Sequence, residues 1–135
     1  IRDLVRSRGL GDVYKRQTDY LTAEGNDNVV LCERGIRTFE TATRFTLDIA
    51  AVPVIHKQSL YPVCIDVSHP AGQRDLVPAL AKAAVAAGAD SLMIEVHPNP
   101  PVALSDGPQQ LTPAQFRELV AELRELAACL GKKIV

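Results

Sequence analysis

The chain of 135 residues is 47% hydrophobic and 23% charged, a balance that supports one globular unit with a core and excludes a disordered segment. Its 15 basic and 16 acidic residues leave a formal net charge of -1. Bulk charge therefore favours neither nucleic acid nor an anionic membrane surface as partner, and any bound anion must be held by a few local groups.

Residues 1 to 17, IRDLVRSRGLGDVYKRQ, are rich in Arg and Lys and lack the apolar pattern that marks the chain from Asn28 onward. The run ending GDVYKRQ resembles a translated sequencing-library adaptor, so the stretch reads as a non-native extension to be left out of fold reasoning. The alternative is a basic amphipathic lead-in helix. Residues 18 to 135 are the remaining unit, and on either reading the native gene is expected to begin further upstream. No apolar run approaches the ~20 residues of a membrane span. The start of the chain also lacks the apolar core of a secretion signal. An odd number of cysteines, Cys32, Cys64 and Cys129, points to buried free thiols in a reducing compartment, by default the cytoplasm.

From Asn28 a unit repeats. VVLCE (29 to 33), PVCID (62 to 66) and SLMIEV (91 to 96) are short apolar runs, each reaching an acid. Runs without alternation suit strands buried on both faces of a parallel sheet. The acids Glu33, Asp66 and Glu95 are 33 and 29 residues apart, the length of a strand, a loop and a returning helix. This spacing predicts successive β/α units with right-handed crossovers, with all three acids at one end of the sheet.

The connecting segments can be placed in the same order. Residues 38 to 59 are irregular, and Pro53 divides them into a loop and one or two short helices. RDLVPALAKAAVAAGAD (74 to 90) carries Leu76, Val77, Leu80, Ala84 and Val85 on one stripe, with a proline in its first turn and Gly88 as a stop. LTPAQFRELVAELRELAACLG (111 to 131) predicts a helix with Thr112 as N-cap, Pro113 at N1 and Gln115 completing a capping box. Its apolar stripe is Phe116, Leu119, Val120, Leu123, Leu126 and Leu130. Cys32 and Cys64 are expected in the strand core and Cys129 in the helix core.

In a parallel α/β sheet the loops after the strands build the site, so residues distant in sequence converge there. His69 in DVSHPAG, Glu95 in MIEVH and Asp106 in ALSDGP supply an imidazole and two carboxylates, a set suited to a divalent ion such as Mn, Fe, Co or Zn. Each has a plainer reading: a loop hydrogen bond for His69, a cap for Glu95, a turn residue for Asp106.

Three longer stretches carry a family resemblance. LCERGIRTFETATRFTLDIAAVP, DVSHPAGQRDLVPALAKAAVAAGAD and LMIEVHPNPPVALSDGPQQLTPAQF resemble the C-terminal portion of 3-deoxy-D-arabino-heptulosonate 7-phosphate (DAHP) synthase of the compact bacterial type, over about residues 28 to 130. The resemblance implies an α/β fold, the C-terminal part of a (β/α)8 TIM barrel comprising about its last three β/α units. It implies condensation of phosphoenolpyruvate with erythrose 4-phosphate, releasing phosphate and opening the shikimate route to aromatic amino acids, in a homo-oligomeric parent enzyme. Metal ligands map onto His69, Glu95 and Asp106, of which His69 and Asp106 also carry the catalytic assignment. The family's fourth ligand, a Cys after the first barrel strand, has no counterpart, since Cys32, Cys64 and Cys129 do not occupy its motif.

By the same resemblance Arg34 binds the phosphate of phosphoenolpyruvate, a role its planar fork suits. Arg37 is a weaker candidate for that anion, with an ion pair to Glu33 or Glu40 favoured. Asp66 is assigned to substrate binding or to orienting His69, and His97 either orients a carboxylate or makes a loop hydrogen bond. Phe45 stands where the family commonly has Asn, and Val67 and Pro70 where Pro and Ala are frequent. By the same resemblance, the Lys-Pro-Arg-Thr-type motif that grips the aldose phosphate, and the Lys and further Arg around phosphoenolpyruvate, belong to strands this chain lacks; with one metal ligand missing as well, the chain by itself is expected to be inactive. Two other readings remain: a 3-deoxy-D-manno-octulosonate 8-phosphate (KDO8P) synthase of the same barrel type, disfavoured by SHPAGQRDL and ERGIRTFE, and a non-catalytic interaction module.

Overall fold

A computed structural model describes residues 18 to 135; the proposed extension at 1 to 17 lies outside the described residues. Three strands, β1 (Leu31–Glu33), β2 (Val63–Asp66) and β3 (Ser91–Met93), form one parallel sheet in the order β1-β2-β3. Leu31 pairs with Val63, and Cys64 with Ser91. The α-helices lying wholly within the described residues are, in chain order, α1 (Ala51–Gln58), α2 (Ser68–Ala71), α3 (Val77–Ala87) and α4 (Pro113–Cys129). Strand and helix thus alternate as the repeat of apolar runs requires.

The strands differ in burial because they differ in position. β2 is central and wholly buried, whereas β3 is half-exposed to exposed along its length. The expectation of a third strand buried on both faces is therefore corrected: β3 has no further partner strand among the described residues, and its ladder ends at Met93 rather than at Val96. Val96 makes only an isolated parallel bridge, to Leu111.

One core joins Leu31, Val63 and Ile65 of the sheet to Val52 and Ile55 of α1, Val77, Ala81 and Ala84 of α3, and Leu119, Leu123 and Ala127 of α4. Alternation along a strand sends Val63 and Ile65 to this core and Cys64 and Asp66 to the opposite face. Burying Ile65 completely is worth about 2 to 3 kcal/mol. Small residues on α3 let α4 pack close.

α3 begins with Pro78 in its first turn and stops at Gly88, whose φ of 102° a side chain would resist. Pro53 lies in the first turn of α1, a single helix, so the irregular part of 38 to 59 is the loop before it. α4 opens with the expected capping box. The Thr112 hydroxyl accepts the Gln115 amide, and the Gln115 side chain accepts the Thr112 amide at 2.9 Å. Replacing Thr112 by Ala should lower stability by about 1 kcal/mol, read as a shifted urea midpoint at unchanged slope.

Cysteine placement departs in part from expectation. Cys64 is buried and Cys32 half-buried, but Cys129 is exposed, on the outer side of α4, and belongs to no helix core. Burial, with Cys64 beside it in register, pushes the Cys32 thiol up to about 12. No helix among the described residues is long and apolar enough to cross a membrane.

Candidate metal centre

The turn after β2 builds the first part of the site. Asp66 ends the strand fully buried, and its Oδ1 accepts the amides of Ser68 and His69, each at 3.0 Å. Its Oδ2 meets His69 Nδ1 at 2.6 Å. The carboxylate thus closes the one-turn helix α2 and orients the ring at the same time. With Nδ1 so occupied, Nε2 is the nitrogen turned toward the site.

Glu95 comes next, two residues beyond β3. Its amide donates to the Ser68 hydroxyl at 2.9 Å, and its carbonyl accepts the Leu111 amide at 3.0 Å. The backbone is therefore fixed from both sides, and Glu95 Oε1 lies 3.5 Å from His69 Nε2. Asp106 sits in the next loop with a left-handed backbone, φ 55°, a conformation Asp tolerates better than most residues. Gly107 is obligatory beside it, because an added Cβ would lie 2.4 Å from the Pro100 carbonyl oxygen.

Ligand-capable atoms of His69, Glu95 and Asp106 all lie within 4.8 Å of one another, a group that could hold a metal ion. The structure thus brings together the three residues expected to converge. Glu33 does not join them. Paired with Ile65, it lies on the face opposite Asp66, buried, with Oε1 accepting the Gly35 amide at 2.9 Å. Asp66 stands behind His69, and Arg34 Nε approaches Asp66 Oδ2 at 3.8 Å from a half-exposed position.

Arg37 behaves differently from the favoured ion pair with an acid. Its guanidinium lies over the Phe45 ring, 5.5 Å from the centroid, and Glu40 receives instead the amides of Thr41 and Ala42, both at 2.8 Å. His97 makes the loop hydrogen bond, accepting the Asn99 amide at Nδ1, 3.0 Å.

Two participants were not legible in the sequence. Arg44 donates to Asp106 Oδ1 and, at 2.9 Å, to Gln109 Oε1. Gln109, fully buried, donates in turn to Glu95 Oε2 at 2.5 Å. The hydrogen bond from Arg44, and after it the charge of the guanidinium, holds the Asp106 carboxyl below the ordinary Asp range. Only Gln109 left a local signal, since it lies three residues beyond Asp106 and closes the same turn.

Comparison with known proteins gives the family and the fold. The sequence model of the DAHP synthetase I family matches residues 12 to 130; its first six positions, 12 to 17, fall in the stretch read as an extension. The phospho-2-dehydro-3-deoxyheptonate aldolase of Thermotoga maritima is 54% identical over 116 residues, covering 86% of this chain and 34% of the relative. A 2-dehydro-3-deoxyphosphooctonate aldolase of Desulfosudis oleivorans is 39% identical over 110 residues, 73% of this chain and 39% of the relative. The crystal structure of the Thermotoga maritima DAHP synthase superposes with a TM-score of 0.91 at 50% identity, over 94% of this chain and 38% of that one. A truncated form of the Thermotoga maritima enzyme gives 0.84 at 54% identity, over 87% of this chain and 45% of that one. The chain spans between about a third and a half of the length of these relatives. With the family's sequence pattern running through nearly all of its length, the chain belongs to the DAHP synthetase I family.

Proposed function

We propose that this chain carries the metal-binding end of a DAHP synthase, which condenses phosphoenolpyruvate with erythrose 4-phosphate and releases phosphate. The observation that carries the reading is the pattern around the three donors. His69, Glu95 and Asp106 come from the segments that follow the sheet's strands, and each has one polar atom held from behind: Nδ1 by Asp66, Oε2 by Gln109, Oδ1 by Arg44. One nitrogen and two carboxylate oxygens then face a common point, a donor set that fits Mn, Fe, Co or Zn. Such backing is what metal ligands need and loop residues do not.

When bound, the divalent ion supplies Lewis acidity that polarises the aldehyde of the sugar phosphate. Asp66 keeps the His69 ring in the tautomer that presents an unprotonated Nε2. Arg34, with its fork exposed beside Asp66, receives the phosphate of phosphoenolpyruvate, and Arg37 lies on the same connection as a second cation. The three strands would be an arc of a (β/α)8 barrel whose interior is the face bearing Cys64 and Asp66. The parent enzyme is read as cytoplasmic and homo-oligomeric, and residues 1 to 17 as an extension whose boundary the genomic sequence upstream of Thr18 would settle. A KDO8P-type activity is the second reading, supported by relatives at 39% identity against 54% for the first.

The test is phosphate release from phosphoenolpyruvate plus erythrose 4-phosphate by this chain extended upstream with the corresponding part of the Thermotoga maritima aldolase. Turnover should appear, vanish on chelation and return with manganese. Preference for arabinose 5-phosphate would transfer the assignment to the second reading; turnover indifferent to chelator would remove the metal from it.

A further inference from the structure

A polar chain, buried at Gln109 and exposed at Arg44, runs behind two of the three candidate ligands. Gln109 is 2% exposed, and its amide group uses both ends. Nε2 donates to Glu95 Oε2 at 2.5 Å, and Oε1 accepts Arg44 Nη1 at 2.9 Å. The same Nη1 donates to Asp106 Oδ1. One continuous path, Glu95 to Gln109 to Arg44 to Asp106, therefore joins two acids that lie eleven residues apart in sequence through an arginine more than fifty residues away from either.

The fold commits several features to holding Arg44 there. Gly72, at φ 64°, leaves the space for it, because an added Cβ would stand 2.7 Å from Arg44 Cβ. The Phe45 ring supports its guanidinium at 5.4 Å from the centroid, and Phe45's own amide is bonded to the Pro70 carbonyl at 3.1 Å. Pro70 is the residue directly after His69. The segment carrying Arg44 is thus fastened to the turn that carries the imidazole.

We propose that Arg44 and Gln109 are positioning residues that select which oxygen of Glu95 and of Asp106 faces His69, and so set the affinity of the centre for a divalent cation. This rests on the metal reading of the site. A carboxylate offers two equivalent oxygens, and an unpinned one divides its time between them. Hydrogen bonds on Glu95 Oε2 and Asp106 Oδ1 remove that choice and leave the opposite oxygens for the ion. A competing effect acts through charge, since a guanidinium close to the site repels a cation. Arg44 is itself paired with Asp106 and 40% exposed, so the carboxylate and solvent screen its charge. Ordering rather than repulsion is therefore expected to dominate.

The experiment is a Mn2+ titration of the isotopically labelled 135-residue chain, monitored by paramagnetic broadening of its amide signals, which detects weak as well as tight binding. Broadening should centre on residues 69, 95 and 106 and be lost in His69→Ala. Arg44→Met and Gln109→Leu should each weaken Mn2+ by about 10- to 100-fold, with Asp106 losing its broadening before His69 does in Arg44→Met. Because both act in one path, the double variant should lose no more than about the larger single loss. Lys82→Met, remote from the site and paired with Glu122, should change nothing. Unchanged or tighter binding by Arg44→Met, with His69→Ala still losing it, overturns the positioning role and leaves the metal site intact. Equal broadening in the parent chain and in His69→Ala overturns both. Gln109→Leu provides the second arm if Arg44→Met alters the amide spectrum far from the site.

Discussion

The 135-residue chain assayed by itself should give no phosphate release from phosphoenolpyruvate and erythrose 4-phosphate, at any manganese concentration. The three strands of the described residues form an open sheet, whereas a barrel of this type closes with eight. Among the described residues β1 and β3 each have an unpaired edge, and the face bearing Ser91 and Met93 is exposed rather than lining an enclosed interior. A site open on that side cannot exclude water or hold two phosphorylated substrates in line. In the chain extended with the upstream part of the Thermotoga maritima relative, His69→Ala or Glu95→Ala should lower turnover by about three orders of magnitude, the scale expected when a metal-organising group is lost from a reaction the metal promotes. Turnover by the 135-residue chain, abolished by His69→Ala, would show that three β/α units suffice and would defeat the barrel argument. Retained turnover in the extended His69→Ala variant would defeat the ligand assignment instead.

Substitutions at Asp66 should separate folding from metal binding. Asp66→Ala removes the acceptor of two backbone amides and of the His69 ring from a fully buried position. Buried donors left without partners cost about 1 to 3 kcal/mol each, so a loss of roughly 3 kcal/mol is expected, together with loss of metal binding. Arg34 adds little to this figure, since its 3.8 Å contact is made from a half-exposed side chain. Asp66→Asn is the sharper experiment. An amide oxygen still accepts from Ser68 and His69, which limits the destabilisation to about 1 kcal/mol, but the amide nitrogen now faces Nδ1. The ring must accept there and carry its proton on Nε2, the nitrogen required for the ion. Metal affinity and turnover should fall by at least about 100-fold while the urea midpoint moves little. Parallel losses of stability and affinity in Asp66→Asn would reduce Asp66 to a structural cap.

Much of this architecture arises from local pattern. Apolar runs whose acids are 29 and 33 residues apart specify strand, crossover and strand again, and a parallel sheet is then the only arrangement that short connections of one hand allow. The convergence of His69, Glu95 and Asp106 is a direct consequence, because each lies beyond the end of a strand and parallel strands end on the same side. Helix α4 was equally legible, since its cap, proline and stripe lie within one stretch of sequence.

Tertiary structure decided the rest. The sequence run SLMIEV does not reveal that only its first half forms ladder bonds, for an edge is a property of the neighbours a strand has. A free cysteine within a helix is expected in the core, yet α4 buries only the narrow stripe of Leu119, Leu123 and Ala127, and the Cys129 thiol falls outside it. Arg44 is the clearest case. Nothing within its own loop marks it, because its partners Asp106 and Gln109 lie 62 and 65 residues further along. What brings them together is the close approach at Gly72 and the stacking on Phe45, contacts that exist only after the β/α units have packed. The sequence by itself determined which donors meet, through strand order and spacing. Which atom of each donor is left without a hydrogen bond is set by contacts between segments, and those have no local signature.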